Sequence, residues 1–256
     1  MAVMICYTDV SGSMSELVIS PAMLVSSPEK WKEFDKRWGE FLAVFGVSAL
    51  HMKDFAHSLR EFESWKFDEP RRRRFLRGLL RIIEDLVEYT AAVAVYGRDF
   101  NFVDSKFRLS ESMRPYTMGC LGCASRIVDW AKKEQHSKND LAWVFEKGDR
   151  DQNDLRKHWN IAYPEATVDP IFLSKSDKHP GHDAVRSIRP FEAADFIAYE
   201  NLQAHRLIEK KQGSQIFEDL RVPMQKMFEF PGADKWGYLS GREMLSMCSE
   251  WGIPSR

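Results

Sequence analysis

Pro21 stands in the middle of the apolar run ELVISPAMLVSS, residues 16–27, and it removes the simplest way of folding that segment. A proline inside a helix lacks the N–H that the turn requires, and its ring collides with the turn before it. The β-branched Val18, Ile19 and Val25 are stiff at χ1 and favour a pleated surface. The segment therefore reads as a strand. The apolar opening MAVMICYT is a strand ahead of it, and DVSGSMS between them is a hairpin connection in which Gly12 is available for a positive φ. A chain that opens this way is committed to a sheet.

The remaining segments cover that sheet. SSPEKWKEFDKRWGEFLAVFG starts a helix at Ser27, a capping side chain, with Pro28 in the first turn and Gly46 at the end. Trp31, Phe34, Trp38, Phe41, Leu42 and Phe45 recur along it at helical spacing. VSALHMKDFAH reads as a third strand or an extended loop. DEPRRRRFLRGLLRIIEDLVEY is an amphipathic helix, and TAAVAVYGRDF is a strand after it. YTMGCLGCASRIVDWAKKEQ is helical, DLAWVFEKGDRDQ is a strand ending in acids, DPIFLSKSD is a short strand, and RPFEAADFIAYENLQAHRLIEKK is a long helix. This alternation predicts an α/β fold whose mixed central sheet is opened by an antiparallel hairpin and flanked by helices on both faces. Residues 1–212 are expected to form the domain, with 213–256 as a carboxy-terminal helical extension of it.

With 44% hydrophobic residues in a chain of 256, a sizeable core is within reach. The formal net charge is -1, so any hold on a polyanion has to be local rather than a property of the overall field. Arg71, Arg72, Arg73 and Arg74, with Arg77 and Arg81, are the densest local charge. They form either a solvated helix face or a stripe that pairs bidentately with the phosphates of a nucleic acid. Cys6, Cys120, Cys123 and Cys248 are too few and too unevenly spaced for a disulfide framework. The lone pair Cys120 and Cys123, inside a helical pattern, reads as buried small side chains rather than a zinc site. No segment has the length or flanks of a membrane span or a cleaved leader. A cytoplasmic protein without a membrane partner is expected.

The stretch YTDVSGSMS places Asp9, Ser11 and Ser13 at the spacing of the metal loop of von Willebrand A-type domains. In those domains the loop runs straight into a long amphipathic helix, which Pro21 forbids here. A serine nucleophile is equally disfavoured, because no strand-Ser-helix elbow surrounds Ser11 or Ser13.

Taken together, YTDVSGS, LHMKDF after the first helix, RPY entering a middle helix, the apolar strand LAWVFE ending in an acid and the late FEAADFIAYE resemble the bacterial family called domain of unknown function 3800. The resemblance spans about residues 3 to 210. It implies a ribonuclease-H-like fold, whose shared chemistry is metal-assisted cleavage of phosphodiester bonds. In such chemistry two divalent ions about 3.5–4 Å apart clamp the attacking and leaving oxygens, held by carboxylates from different elements. Asp9, Glu146 and Asp195 are the residues this assigns as catalytic and as ligands of Mg²⁺ or Mn²⁺. Glu192, one helical turn before Asp195, joins them as a ligand. Asp149 is a reserve for Glu146, and Glu200 turns away from the Asp195 face. His51 occupies the family's histidine position; it either approaches the site or is a satisfied, half-buried imidazole. Two positions depart from the family pattern: Val10 stands where an acid is usual, and Glu192 where a Gln is usual. Two functional readings follow, a divalent-metal-dependent nuclease and a non-catalytic binding or scaffold protein on the same fold.

Overall fold

The computed structural model describes residues 4–13, 17–148, 151–163, 169–174, 188–211 and 236–256. β1 (Met4–Ser13) and β2 (Val18–Ser26) form the opening hairpin, followed by α1 (Pro28–Val44), a short α2 (Met52–His57) and α3 (Glu69–Leu86). Next come β3 (Tyr89–Tyr96), α4 (Gly97–Asp104), α5 (Leu109–Ser112), α6 (Pro115–Lys133), β4 (Leu141–Glu146), α7 (Gln152–Ala162) and β5 (Ile171–Leu173). α8 (Arg189–Lys211), β6 (Trp236–Leu239) and α9 (Gly241–Glu250) complete the described chain. The six strands form one mixed sheet in the order β5-β4-β1-β2-β3-β6. β1, β2 and β3 are an antiparallel meander; β4 pairs parallel with β1, β5 with β4, and β6 with β3.

Strand alternation assigns the two faces. Met4, Cys6, Ile19, Met23, Val25 and Phe145 face a core built with α6. Ala22, Leu24, Ile5 and Tyr7 face a second core built with α1, α3 and α8. β2 and β3 are buried along their whole length, as strands covered by helices on both sides must be. In β3, Ala91, Ala92 and Ala94 are small enough for helices to approach closely from either side. Ser27 caps α1 by accepting from the Lys30 N–H, and Asp68 caps α3 by accepting from the Arg71 N–H.

Pro21 is in a strand, but an interior one, where proline is rare. Its missing N–H is accommodated by a break in the ladder: β2 pairs with β3 at Val18, Ile19 and again from Ala22, skipping Ser20 and Pro21. α6 fills the spot. A Cβ on Gly119 would stand 2.7 Å from the proline ring, and the Cys123 thiol donates to the Pro21 carbonyl at 3.5 Å.

Four sequence expectations change. β1 runs on through Ser13 instead of ending before Asp9, because Ser11 and Ser13 find partners in Ser20 and Val18; Gly12 keeps the positive φ, +85°. Residues 47–57 form no strand: the N–H groups of Leu50 and Met52 go to carboxylates of α8, and Met52 and Phe55 turn inward from one helical face. The strand expected to reach Phe100 ends at Tyr96, and α4 begins at Gly97. The carboxy-terminal extension supplies a sheet strand, β6, as well as a helix.

Candidate functional site

β1 outruns β4. Their parallel register ends at Thr8 opposite Phe145, so Asp9 and Glu146 form the next step. Both belong to the α8 face, because Tyr7 and Val144, two residues back on each strand, pack there around Phe191. The two carboxylates thus start from backbones about 4.8 Å apart. They line one pocket of about 300 Å³ with Thr8, Val10, Tyr116, Lys147 and Gly148, at the carboxyl end of β4. Crevices at this end of parallel strands are the usual binding places of open α/β sheets.

Asp195 reaches the same level from the helix above. Two contacts fix how α8 lies along β1: the rings of Tyr7 and Phe191 meet at 5.4 Å, and Leu202 covers Gly12. The strand from Tyr7 to Gly12 and the helix from Phe191 to Leu202 each span about 16 Å, so the two run in step. Asp9 lies about 7 Å past the first contact and Asp195 about 6 Å past it. Asp195 is one turn beyond Phe191 and therefore keeps to the sheet-facing stripe. The side chain is buried, with Oδ2 accepting from the Met52 N–H at 2.9 Å and lying 3.6 Å from His51 Nδ1. His51 is half-exposed beside that carboxylate.

Glu192 is turned toward α1. Its Oε2 accepts from the Trp38 indole at 2.8 Å and from the Leu50 N–H at 2.9 Å. That carboxylate ties α1 and the 47–51 loop to α8 and so supports the segment that holds Asp195. Val10 faces the other way, against the α6 core, so an acid there would project from the opposite face to Asp9. Asp149 lies outside the described residues. Glu200 is buried, half a turn around α8 from Phe191.

The four arginines divide. Arg71 lies 4.3 Å from the centroid of the Trp65 ring and donates to the Phe45 carbonyl. Arg72 lies 4.2 Å from that of Phe55 and donates to the Phe55 carbonyl. Both serve the fold. Arg73 and Arg74 are exposed and share a concavity with Arg77.

Sequence reasoning passed over Tyr116 and Lys147 as pocket residues. Tyr116 belongs to the quoted RPY, and α6 holds it there because Asp154 accepts from the Arg114 N–H and the Thr117 hydroxyl. Lys147 follows Glu146 directly, and its position at a strand end was the available signal.

Among the described residues, no three His, Cys, Asp or Glu side chains are drawn close enough to hold a metal ion. Asp9, Glu146 and Asp195 share a region without closing on one point. No helix among the described residues is long and apolar enough to cross a membrane. No protein-family model matches the chain, and no curated protein matches it.

Proposed function

We propose that this protein is a divalent-metal-dependent phosphodiesterase acting on nucleic acid, with its site at the pocket that Asp9 and Glu146 line and that Asp195 borders from α8. The observation that carries the reading is the register: two acids one step past the end of a parallel ladder, and a third at their level on the covering helix. The mixed sheet opened by an antiparallel hairpin supports a ribonuclease-H-like assignment and the resemblance to the domain of unknown function 3800 family. Hard carboxylate oxygens fit Mg²⁺ or Mn²⁺ in kind. Their spacing is open, so the three carboxylates must draw in to hold a cation. An ion held by these carboxylates would supply charge to neutralise the phosphodiester and to activate a water as nucleophile. Asp9 and Glu146 orient from the rigid sheet, Asp195 closes from α8, and Lys147 and Tyr116 border the pocket from β4 and α6.

A second reading has its own observation. The open spacing of the acids, with Val10 turned to the other face, suits a non-catalytic binding protein that keeps the fold. Incubating the protein and its Asp195→Asn variant with single- and double-stranded DNA and RNA, in Mg²⁺, Mn²⁺ or chelator, separates the two. The nuclease reading expects metal-dependent cleavage that the variant loses. Intact substrates in every lane sink it and leave the binding reading.

A further inference from the structure

Between the arginine helix and the short helix that abuts Asp195, the chain makes a tight turn at Trp65–Asp68. The Asp68 N–H returns to the Trp65 carbonyl at 3.0 Å. Lys66 has φ -58° and ψ 125°, and Phe67 has φ 69°. This is a type II turn with phenylalanine at the position whose positive φ ordinarily demands glycine. A bulky residue there is a true backbone outlier, and outliers of this kind gather at functional sites. The strain has no packing return: Phe67 is 91% exposed, while its neighbours Phe62, Trp65 and Phe75 form the buried cluster that fixes the turn from below. Lys66 holds its ammonium 5.4 Å from the ring centroid.

The exposed ring immediately precedes the cap of the helix that carries the arginines. Arg73, Arg77 and Arg81 follow one another at one-turn intervals on the exposed side of α3, and Arg74 lies beside them. Glu69 answers Arg73 at 3.1 Å, Asp68 is used as the cap, Asp85 pairs with Arg37 at 2.6 Å, and Glu84 lies on the same side one turn beyond Arg81, so the unbalanced cations are those nearer the start of the helix, Arg74 and Arg77. From Phe67 to Arg73 the chain rises only about 9 Å. At the other end, α2 is one short helix whose Phe55 carbonyl meets Arg72 and whose Met52 N–H meets Asp195.

An aromatic face offered to solvent beside a row of guanidinium groups is the combination that holds unpaired nucleotides, with bases stacking on the ring and phosphates on the cations. A duplex keeps its bases stacked internally and gains nothing from such a ring. We infer that Phe67 with Arg73, Arg74 and Arg77 is a docking platform for single-stranded nucleic acid. This rests on the phosphodiesterase reading for its substrate and narrows it to strands with free bases.

Fluorescence anisotropy tests it in chelator, where cleavage is silent, with a labelled oligothymidylate, a labelled oligouridylate and a duplex of equal length. The single strands should bind more tightly than the duplex. Phe67→Gly should weaken single-strand binding about tenfold while leaving the duplex unchanged, and Phe67→Trp should restore it. Because glycine suits the turn, Phe67→Gly should also melt no lower than the parent. A purely structural Phe67 would lose stability instead. Replacing Arg73, Arg74 and Arg77 with Gln should flatten the salt dependence of single-strand binding by about two units of slope. Duplex binding as tight as single-strand binding, no binding of either, or heparin competing equally against parent and Phe67→Gly overturns the platform. Phe67-dependent binding without cleavage in Mg²⁺ would leave the platform standing and remove the nuclease; cleavage indifferent to Phe67 would do the reverse.

Discussion

Asp9 and Glu146 occupy neighbouring positions on two parallel strands, one step past the Thr8–Phe145 pair, and direct their carboxylates to the same face of the sheet. Each on its own strand would be an ordinary buried or strand-end acid. Side by side at the mouth of one pocket, they are the pair on which the proposed metal site depends. Calorimetry with Mn²⁺ should therefore show binding by the parent, and Asp9→Asn should weaken it about tenfold or more, since affinity in such sites follows ligand charge. Ser11→Ala should leave it nearly unchanged. A Ser11→Ala loss as severe as that of Asp9→Asn would favour the von Willebrand A-type loop instead.

Glu192 is expected to act on stability more than on metal affinity. Glu192→Ala leaves the Trp38 indole N–H and the Leu50 N–H without their acceptor inside the core, which should cost about 2–5 kcal/mol in urea unfolding. Glu192→Gln keeps an acceptor oxygen and should lose less. Equal metal binding by Glu192→Gln and parent would assign the residue to the support of Asp195.

His205 links α8 to the sheet, its Nδ1 lying 2.8 Å from the Tyr96 hydroxyl. Burial pulls its pKa down from 6.5 to about 4, with Arg126 adding in the same direction and a hydrogen bond involving the Gly237 backbone opposing. Between those two values the unfolded chain takes up a proton that the folded chain refuses. Stability is therefore full above about pH 6.5 and declines as pH falls toward 4, by about 3 kcal/mol for this group. His205→Asn should remove that part of the slope in denaturant midpoints measured across the range. An unchanged slope would show that carboxylates alone carry it.

Arg72 and Arg74 lie two residues apart on α3 and should behave differently. Arg72→Gln gives up the stacking on Phe55 and the bond to its carbonyl, for a loss of about 1–2 kcal/mol on thermal unfolding. Arg74→Gln, on the exposed face, should stay within about 0.5 kcal/mol of the parent.

Much of this architecture was legible because it rests on local chemistry. Pro21 excludes a helix that runs through the middle of residues 16–27, Ser27 caps the helix that follows it, and residues 189–211 mark a helix whose bounds the structure reproduces. Asp9, Glu146 and Asp195 were nameable one by one through the family resemblance, which pointed to an acid on each of three separate elements. What no local pattern carries is pairing. That Asp9 and Glu146 share a register step, that Glu192 spends its carboxylate on Trp38, and that Arg71 and Arg72 turn inward onto Trp65 and Phe55 while Arg73 and Arg74 turn out depends on residues distant in the chain. The backbone N–H groups of Leu50 and Met52 show why. A donor must find an acceptor when it is buried, but the sequence around it does not say which, and here the choice of two α8 carboxylates over a neighbouring strand settled a segment that read as strand or extended loop into the loop and short helix beside Asp195.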